Sequence, residues 1–417
     1  MCGTMKLAAI HLLVASTIFP PTSFLCVALS LTSKNVAKPA QVSSSTKVAN
    51  PKSCVTFESP LLEAGYPPAV SEYRANTLRN KPLLLYLPGF DGTLLAPFLQ
   101  FPELSTEFDV KGLTVGMSDR STVKDLKEIV LDFIENQTKD DLDRPVYIIG
   151  ESFGGLLTLE VVLAIQERNL KEGSPGSENA INLQGISLIN PATCYNESTL
   201  AKNGPRLTRV SPMQYPFELM KLLPLFTDDY GLSQLLLILQ SKGLPSVIDN
   251  EQREAYMGRM AFSLPTKMKF MPQATLKWRL EEWLANGCEA MNNKEDLLGN
   301  ANVPVLIVAG ELDNTLPSMK EAKRLSGLFK NTRTMIHCTP GAGHAHTVGS
   351  RVDLTALMRM AFYDRLKTDG RTEMKESARL ASDEFYGMEG RYDNAMIGLM
   401  PTKYWSDDNF QSIHLEL

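Results

Sequence analysis

Residues 145–156 read PVYIIGESFGGL, and within them Gly150-Glu151-Ser152-Phe153-Gly154 follow the pattern G-x-S-x-G. A serine there can act as a nucleophile if the chain turns sharply enough to push its Oγ clear. Gly150 and Gly154 remove the Cβ atoms that would clash in that turn. The N–H of Phe153 is then expected to face a developing oxyanion. A hydroxyl needs a base to take its proton, and the chain has five histidines: 11, 337, 344, 346 and 414. His11 and His414 lie near the ends, and His337 sits in an apolar run as a structural side chain. His344, directly after Gly341-Ala342-Gly343, is the expected base, with His346 as the runner-up. Asp313, in Glu311-Leu312-Asp313-Asn314, is expected to orient the imidazole, with Glu311 as the fallback. Asn190-Pro191, at an earlier strand end, offers no carboxylate for that role. The second oxyanion N–H is expected from Phe90, within Pro88-Gly89-Phe90-Asp91-Gly92, where Asp91 reads as a turn residue. No third ligand stands near His344 and His346 at metal spacing, so neither a metal nor a cofactor is expected.

These residues need a frame. Leu83 to Leu87, Phe108 to Val115, Val146 to Ile149, Gly185 to Ile189, Val303 to Ala309 and Thr332 to Cys338 read as strands. Between them lie helical stretches. One is capped by Ser121 and carries Val123, Leu126, Ile129, Val130, Phe133 and Ile134 on one face. Another runs from Leu156 to Gln166, and a closing helix carries Leu354, Leu357, Met358, Ala361 and Phe362. Strands alternating with helices predict a mostly parallel sheet covered on both faces. With the strand–turn–helix context of Ser152, the expected fold is α/β, of the α/β-hydrolase type. Residues 195–300 carry seven prolines, several methionines and helical stretches at Leu232–Leu239 and Thr275–Asn286. They predict a helical cap over the site. The expected organisation is a leader over 1–57, core over 58–194, cap over 195–300, core over 301–366, and a polar tail over 367–417 with a helix at Glu373–Glu384.

Net charge is −5, divided as +5 over the first 57 residues and −10 over the rest. An acidic body gives no reason to expect nucleic acid. Before Glu58 there is no acidic residue. Lys6 precedes an apolar run to Phe19, Pro20-Pro21 break it, and Ser/Thr-rich, lysine-bearing sequence follows. This predicts a signal-like piece and then a transit-like piece, a bipartite leader to a plastid, cut near residues 30–57. A secretory signal or an anchor extending to Leu31 is the alternative. The six cysteines form no C-x-x-C, which fits a reducing compartment.

Several short stretches together resemble the plant phytyl ester synthase type of esterase/lipase/thioesterase proteins. They are LPGFDG at 87–92, SDR at 118–120, GESFGG at 150–155, INPAT at 189–193, GELDNTLPS at 310–318 and GH at 343–344, followed by VDL and AFYDRL. They span roughly Leu83 to Leu366. The resemblance implies plastid lipid chemistry: acyl cleavage from galactolipids or acyl thioesters, with transfer to phytol or another alcohol as the alternative. It implies an acyl lipid as the partner and peripheral contact with plastid membranes or lipid bodies. Family members carry an acyltransferase domain after the hydrolase part, marked by His-x-x-x-x-Asp. No such pattern occurs here, since His346 meets its next Asp only at Asp353. Hydrolysis is therefore the expected reaction. A third reading is a non-catalytic binding module of the same fold, and the full serine, aspartate and histidine set speaks against it.

Overall fold

The computed structural model describes residues 54–60, 81–98, 100–171, 180–220, 271–345, 347–348, 352–362 and 403–406. The strands are β1 (Val55–Glu58), β2 (Leu83–Leu87), β3 (Asp109–Val115), β4 (Val146–Glu151), β5 (Leu183–Ile189), β6 (Val305–Gly310), β7 (Thr334–Thr339) and β8 (Lys403–Ser406). They form one sheet in the order β1-β3-β2-β4-β5-β6-β7-β8. The six inner strands are parallel, and β1 and β8 pair antiparallel at the two edges.

Side chains alternate across this sheet, as a period of two requires. Leu83, Leu85 and Leu87 of β2 join Val146 and Ile148 of β4 and Ile307 of β6 in one core. Leu84, Tyr86, Tyr147, Ile149, Leu306 and Val308 enter a second core on the opposite face. Continuous apolar strands of this kind need cover on both sides. Helices α1 (Phe101–Glu107), α2 (Val123–Thr138), α3 (Phe153–Lys171), α9 (Ser318–Leu328) and α10 (Leu354–Phe362) lie among the strands in sequence. Helix α2 starts one residue later than the Ser121 cap predicts. Thr122 is the cap, accepting from the Asp125 N–H while the Asp125 carboxylate accepts from the Thr122 N–H. Asp125 completes the reciprocal box that Ser121 could not form at the right spacing. Ser121 N–H instead donates to Asp119.

The part of the expected cap that is described is helical. It comprises a 3-10 turn (Ala192–Glu197), α4 (Thr199–Leu207), α5 (Tyr215–Met220), α6 (Gln273–Trp278), a π-helical stretch (Arg279–Asn286), α7 (Gly287–Asn292) and α8 (Glu295–Leu298). The Leu232–Leu239 helix and the Glu373–Glu384 helix lie outside the described residues.

Two boundaries change. The leader expected over 1–57 overlaps the fold, because Val55–Glu58 is an edge strand. Phe57 stacks on Phe133 with ring centroids 3.7 Å apart, and the Cys54 N–H donates to buried Asp119 at 2.7 Å. Four residues with an apolar–polar alternation at the end of a lysine-bearing leader are too short to read as a strand. At the other end, the tail expected over 367–417 contains β8, which pairs with β7.

Candidate active site

Strand β4 delivers the chain to Ser152, and α3 begins at Phe153. Ser152 has φ +54, in the left-handed region that side chains avoid. The turn is held from outside: the Ser152 N–H donates to the Ile189 carbonyl at 2.8 Å, and the Ser152 carbonyl accepts from Ala192 at 2.9 Å and Gly155 at 3.0 Å. The flanking glycines are required by close approach. A Cβ on Gly154 would collide with the Leu87 and Pro88 carbonyls, and one on Gly150 with Thr158 Oγ1 and the Gly154 carbonyl.

Ser152, His344 and Asp313 come together although 31 and 192 residues separate His344 from its two neighbours. Ser152 Oγ lies 3.0 Å from His344 Nε2, and His344 Nδ1 lies 2.8 Å from Asp313 Oδ2. Asp313 sits in the turn after β6. Its Oδ1 accepts the N–H groups of Thr315 and Leu316 at 2.8 and 3.0 Å, and Oδ2 accepts from Ser318 Oγ at 2.5 Å. Burial works against its charge, but the imidazole, the Ser318 hydroxyl and the Leu316 N–H together hold its carboxyl below the usual carboxylate range. For His344, burial disfavours the cation. The Asp313 charge and hydrogen bond, with a further push from Glu151, outweigh that and raise its pKa above the ordinary 6.5. Glu311, the fallback acid, accepts instead from the Gly341 N–H at 2.9 Å. His346 lies outside the described residues.

Phe153 opens the 19-residue helix α3, so its N–H is among the orphan donors at a positive helix end. The loop after β2 approaches from the other side. A Cβ on Gly89 would stand 3.7 Å from Ser152 Cβ. Residues 89–92 form a turn closed by Gly92 N–H to the Gly89 carbonyl at 2.9 Å. The Phe90 N–H takes no part in that closure.

The serine carboxypeptidase family matches residues 107–205, a stretch that holds Ser152 and ends before Asp313 and His344. A serine hydrolase of known structure from the bacterium Cycloclasticus zankles is similar in fold, with a TM-score of 0.50 at 14% identity, over 78% of this chain and 99% of that one. Phytyl ester synthase 1, chloroplastic, of Arabidopsis thaliana is 29% identical over 290 residues, 68% of this chain and 37% of that protein. Phytyl ester synthase 2, chloroplastic, of the same plant is 30% identical over 213 residues, 48% of this chain and 27% of that protein. The chain has the α/β-hydrolase fold and is similar over part of its length to the two phytyl ester synthases. It matches 37% and 27% of the length of these two relatives.

Two residues of the site are not legible in the sequence. Asn190, at the end of β5, offers no carboxylate, and its residue type alone gives no sign of a role. It is fully buried with φ +42. Its side-chain amide donates to the His344 carbonyl at 2.7 Å and accepts the Gly310 N–H at 2.9 Å. It therefore clasps the loop of His344 to the strand end that carries Asp313. The other is Glu151, beside the nucleophile but aimed at the opposite face. It accepts from Tyr86 at 2.7 Å and Thr347 at 2.6 Å, and burial raises its pKa. An acid one residue before the serine, with a tyrosine two positions before Pro88, was the available signal.

Asn190→Ala strands a buried carbonyl and a buried N–H, and leaves alanine in a left-handed conformation. The expected loss is about 3 kcal/mol of stability, read by denaturant unfolding. Activity is expected to fall further than stability explains, because the His344 loop loses its tie. An unchanged midpoint would show that the clasp carries no load.

Proposed function

We propose that the chain is a serine hydrolase that cleaves acyl esters of lipids through an acyl-enzyme on Ser152. The observation that carries this reading is the continuous line from Ser152 Oγ through His344 to Asp313, at 3.0 and 2.8 Å. In this scheme His344 Nε2 takes the Ser152 proton as Oγ attacks the acyl carbonyl. The N–H groups of Phe90 and Phe153 receive the negative oxygen. Collapse breaks the bond to the alcohol oxygen, which leaves with the proton from His344. Water then attacks the acyl-serine, His344 takes its proton, and the second collapse returns that proton to Ser152 as the fatty acid departs. Asp313 stays ionised throughout and stabilises the imidazolium.

A second reading is supported by the two relatives named for ester synthesis. An alcohol such as phytol replaces water in the second half, and the product is an ester. An acid-free leader and the chloroplastic names of those relatives support residence in a plastid, with peripheral contact at membranes or lipid bodies. Among the described residues, no helix is long and apolar enough to cross a membrane.

A series of p-nitrophenyl esters tests the substrate class. Each methylene buried in an acyl channel contributes about 0.8 kcal/mol, or about fourfold in kcat/KM. Activity is expected to climb from acetyl to octanoyl and beyond. A peak at acetyl with no turnover of octanoyl would eliminate the lipid reading. Added phytol that diverts octanoyl into phytyl octanoate would favour transfer over hydrolysis.

A further inference from the structure

One short stretch of the cap reaches under both candidate oxyanion donors. Residues Arg279–Asn286 are π-helical, a winding that is rare and concentrated at functional positions. Arg279 and Trp283 are both fully buried, and the guanidinium lies over the indole, 4.2 Å from its centroid. Arg279 Nη1 donates to the Phe90 carbonyl at 2.8 Å. Nη2 donates to the carbonyls of Val115 and Gly116 at 3.0 and 3.1 Å. Trp283 stacks on Phe153 with ring centroids 4.4 Å apart and planes 11° apart. Its Nε1 donates to the Ser121 carbonyl at 2.8 Å.

A cation buried in this way costs free energy unless its donors are used. Burial pushes the Arg279 pKa down to about 10, which leaves it charged at neutral pH. The loop after β2 makes room for it. Gly92 has φ +70, and a Cβ there would come within 3.0 Å of Arg279 Nη1 and 2.8 Å of the Val115 carbonyl. The hydrogen bond to the Phe90 carbonyl fixes the plane of the peptide that follows Phe90. With the turn closed behind it, the direction of the Phe90 N–H is fixed as well. On the Phe153 side, the indole face sets where the first turn of α3 rests.

Resting on the acyl-enzyme reading above, we infer that Arg279 and Trp283 are positioning residues that align the Phe90 and Phe153 N–H groups on the oxyanion. Seating of the cap and assembly of the oxyanion hole are then one event. A cap lifted from loop 116–121 leaves Ser152 and His344 in place with no aligned donors.

The test uses the full chain with Arg279→Met, Arg279→Lys and Trp283→Leu. Titration with a fluorophosphonate counts competent Ser152 sites, so partial misfolding lowers the count and not the rate per site. Two readouts follow: kcat per titrated site on p-nitrophenyl octanoate, and affinity for an octyl trifluoromethyl ketone, whose adduct with Ser152 carries the oxyanion. Loss of one aligned donor costs roughly 100-fold or more. Arg279→Met is therefore expected to lose about 50-fold or more in kcat per site, with KM within about threefold and a parallel loss of ketone affinity. Arg279→Lys is expected to recover part of it, and Trp283→Leu to lose about tenfold. If Arg279→Met yields no titratable sites, Arg279→Lys and Trp283→Leu decide by the same readouts. Parental kcat per site and ketone affinity in the titratable variants overturn this inference alone. A parent enzyme that carries no label at Ser152 overturns the acyl-enzyme reading and this inference with it.

Discussion

Ser152→Ala and His344→Ala are each expected to lower kcat on a medium-chain ester by roughly 10⁴ to 10⁶, because the members of such a unit fail together. Fluorophosphonate labelling should vanish with Ser152 and become very slow without His344. The double variant should be little worse than either single one. The expectation follows from geometry: His344 is the imidazole at 3.0 Å from the Ser152 hydroxyl. Ser152→Ala that still labels and turns over like the parent would remove Ser152 from the chemistry. Full activity in His344→Ala with its loss in His346→Ala would move the base two residues along the loop.

Asp313→Asn is expected to cost about 10⁴ in kcat, since the amide cannot hold the imidazole in the required tautomer. It should also change the pH profile in a defined direction. The base must be neutral, so kcat/KM rises with pH through the His344 pKa of the free enzyme. In the parent that limb lies above the ordinary 6.5, because the Asp313 charge and hydrogen bond overcome the burial that opposes the cation. Removing the carboxylate leaves burial as the dominant influence, so the limb of the residual activity moves to lower pH. A limb that stays in place while kcat falls would mean that Asp313 does not set the His344 charge.

The three residues that the structure brings together, Ser152, Asp313 and His344, are legible in the sequence through local pattern. Ser152 announces itself by glycines two positions either side and by the apolar strand before it. Asp313 and His344 follow from chain order and from turns that directly succeed apolar runs. The six inner strands are legible to within about two residues, because sheets buried on both faces leave uninterrupted apolar runs. What stayed hidden depends on partners remote in sequence. Asn190 is an ordinary strand-end residue until β6 and the His344 loop arrive beside it. Arg279 stands two and three residues before Glu281 and Glu282 and reads as the polar face of a surface helix. Its spacing of four from Trp283 was a faint signal of stacking, and the π-helical winding that buries both has no signature in residue type. Strand β8 pairs with β7 from about 65 residues away, and no apolar alternation in KYWS marks it.

Strand β1 places a limit on maturation that concerns proteolysis and solubility rather than catalysis. Its backbone occupies the otherwise open side of β3, residue for residue from Val55 opposite Val115 to Glu58 opposite Gly112. A processing protease that cut at residue 57 would remove that cover and leave a row of unpaired amides on β3, a template for edge-to-edge association. A cut that spares β1 and the Cys54 N–H bond to Asp119 therefore has to fall before Cys54. A cleavage site engineered a few residues further downstream would trade a shorter chain for an aggregating one.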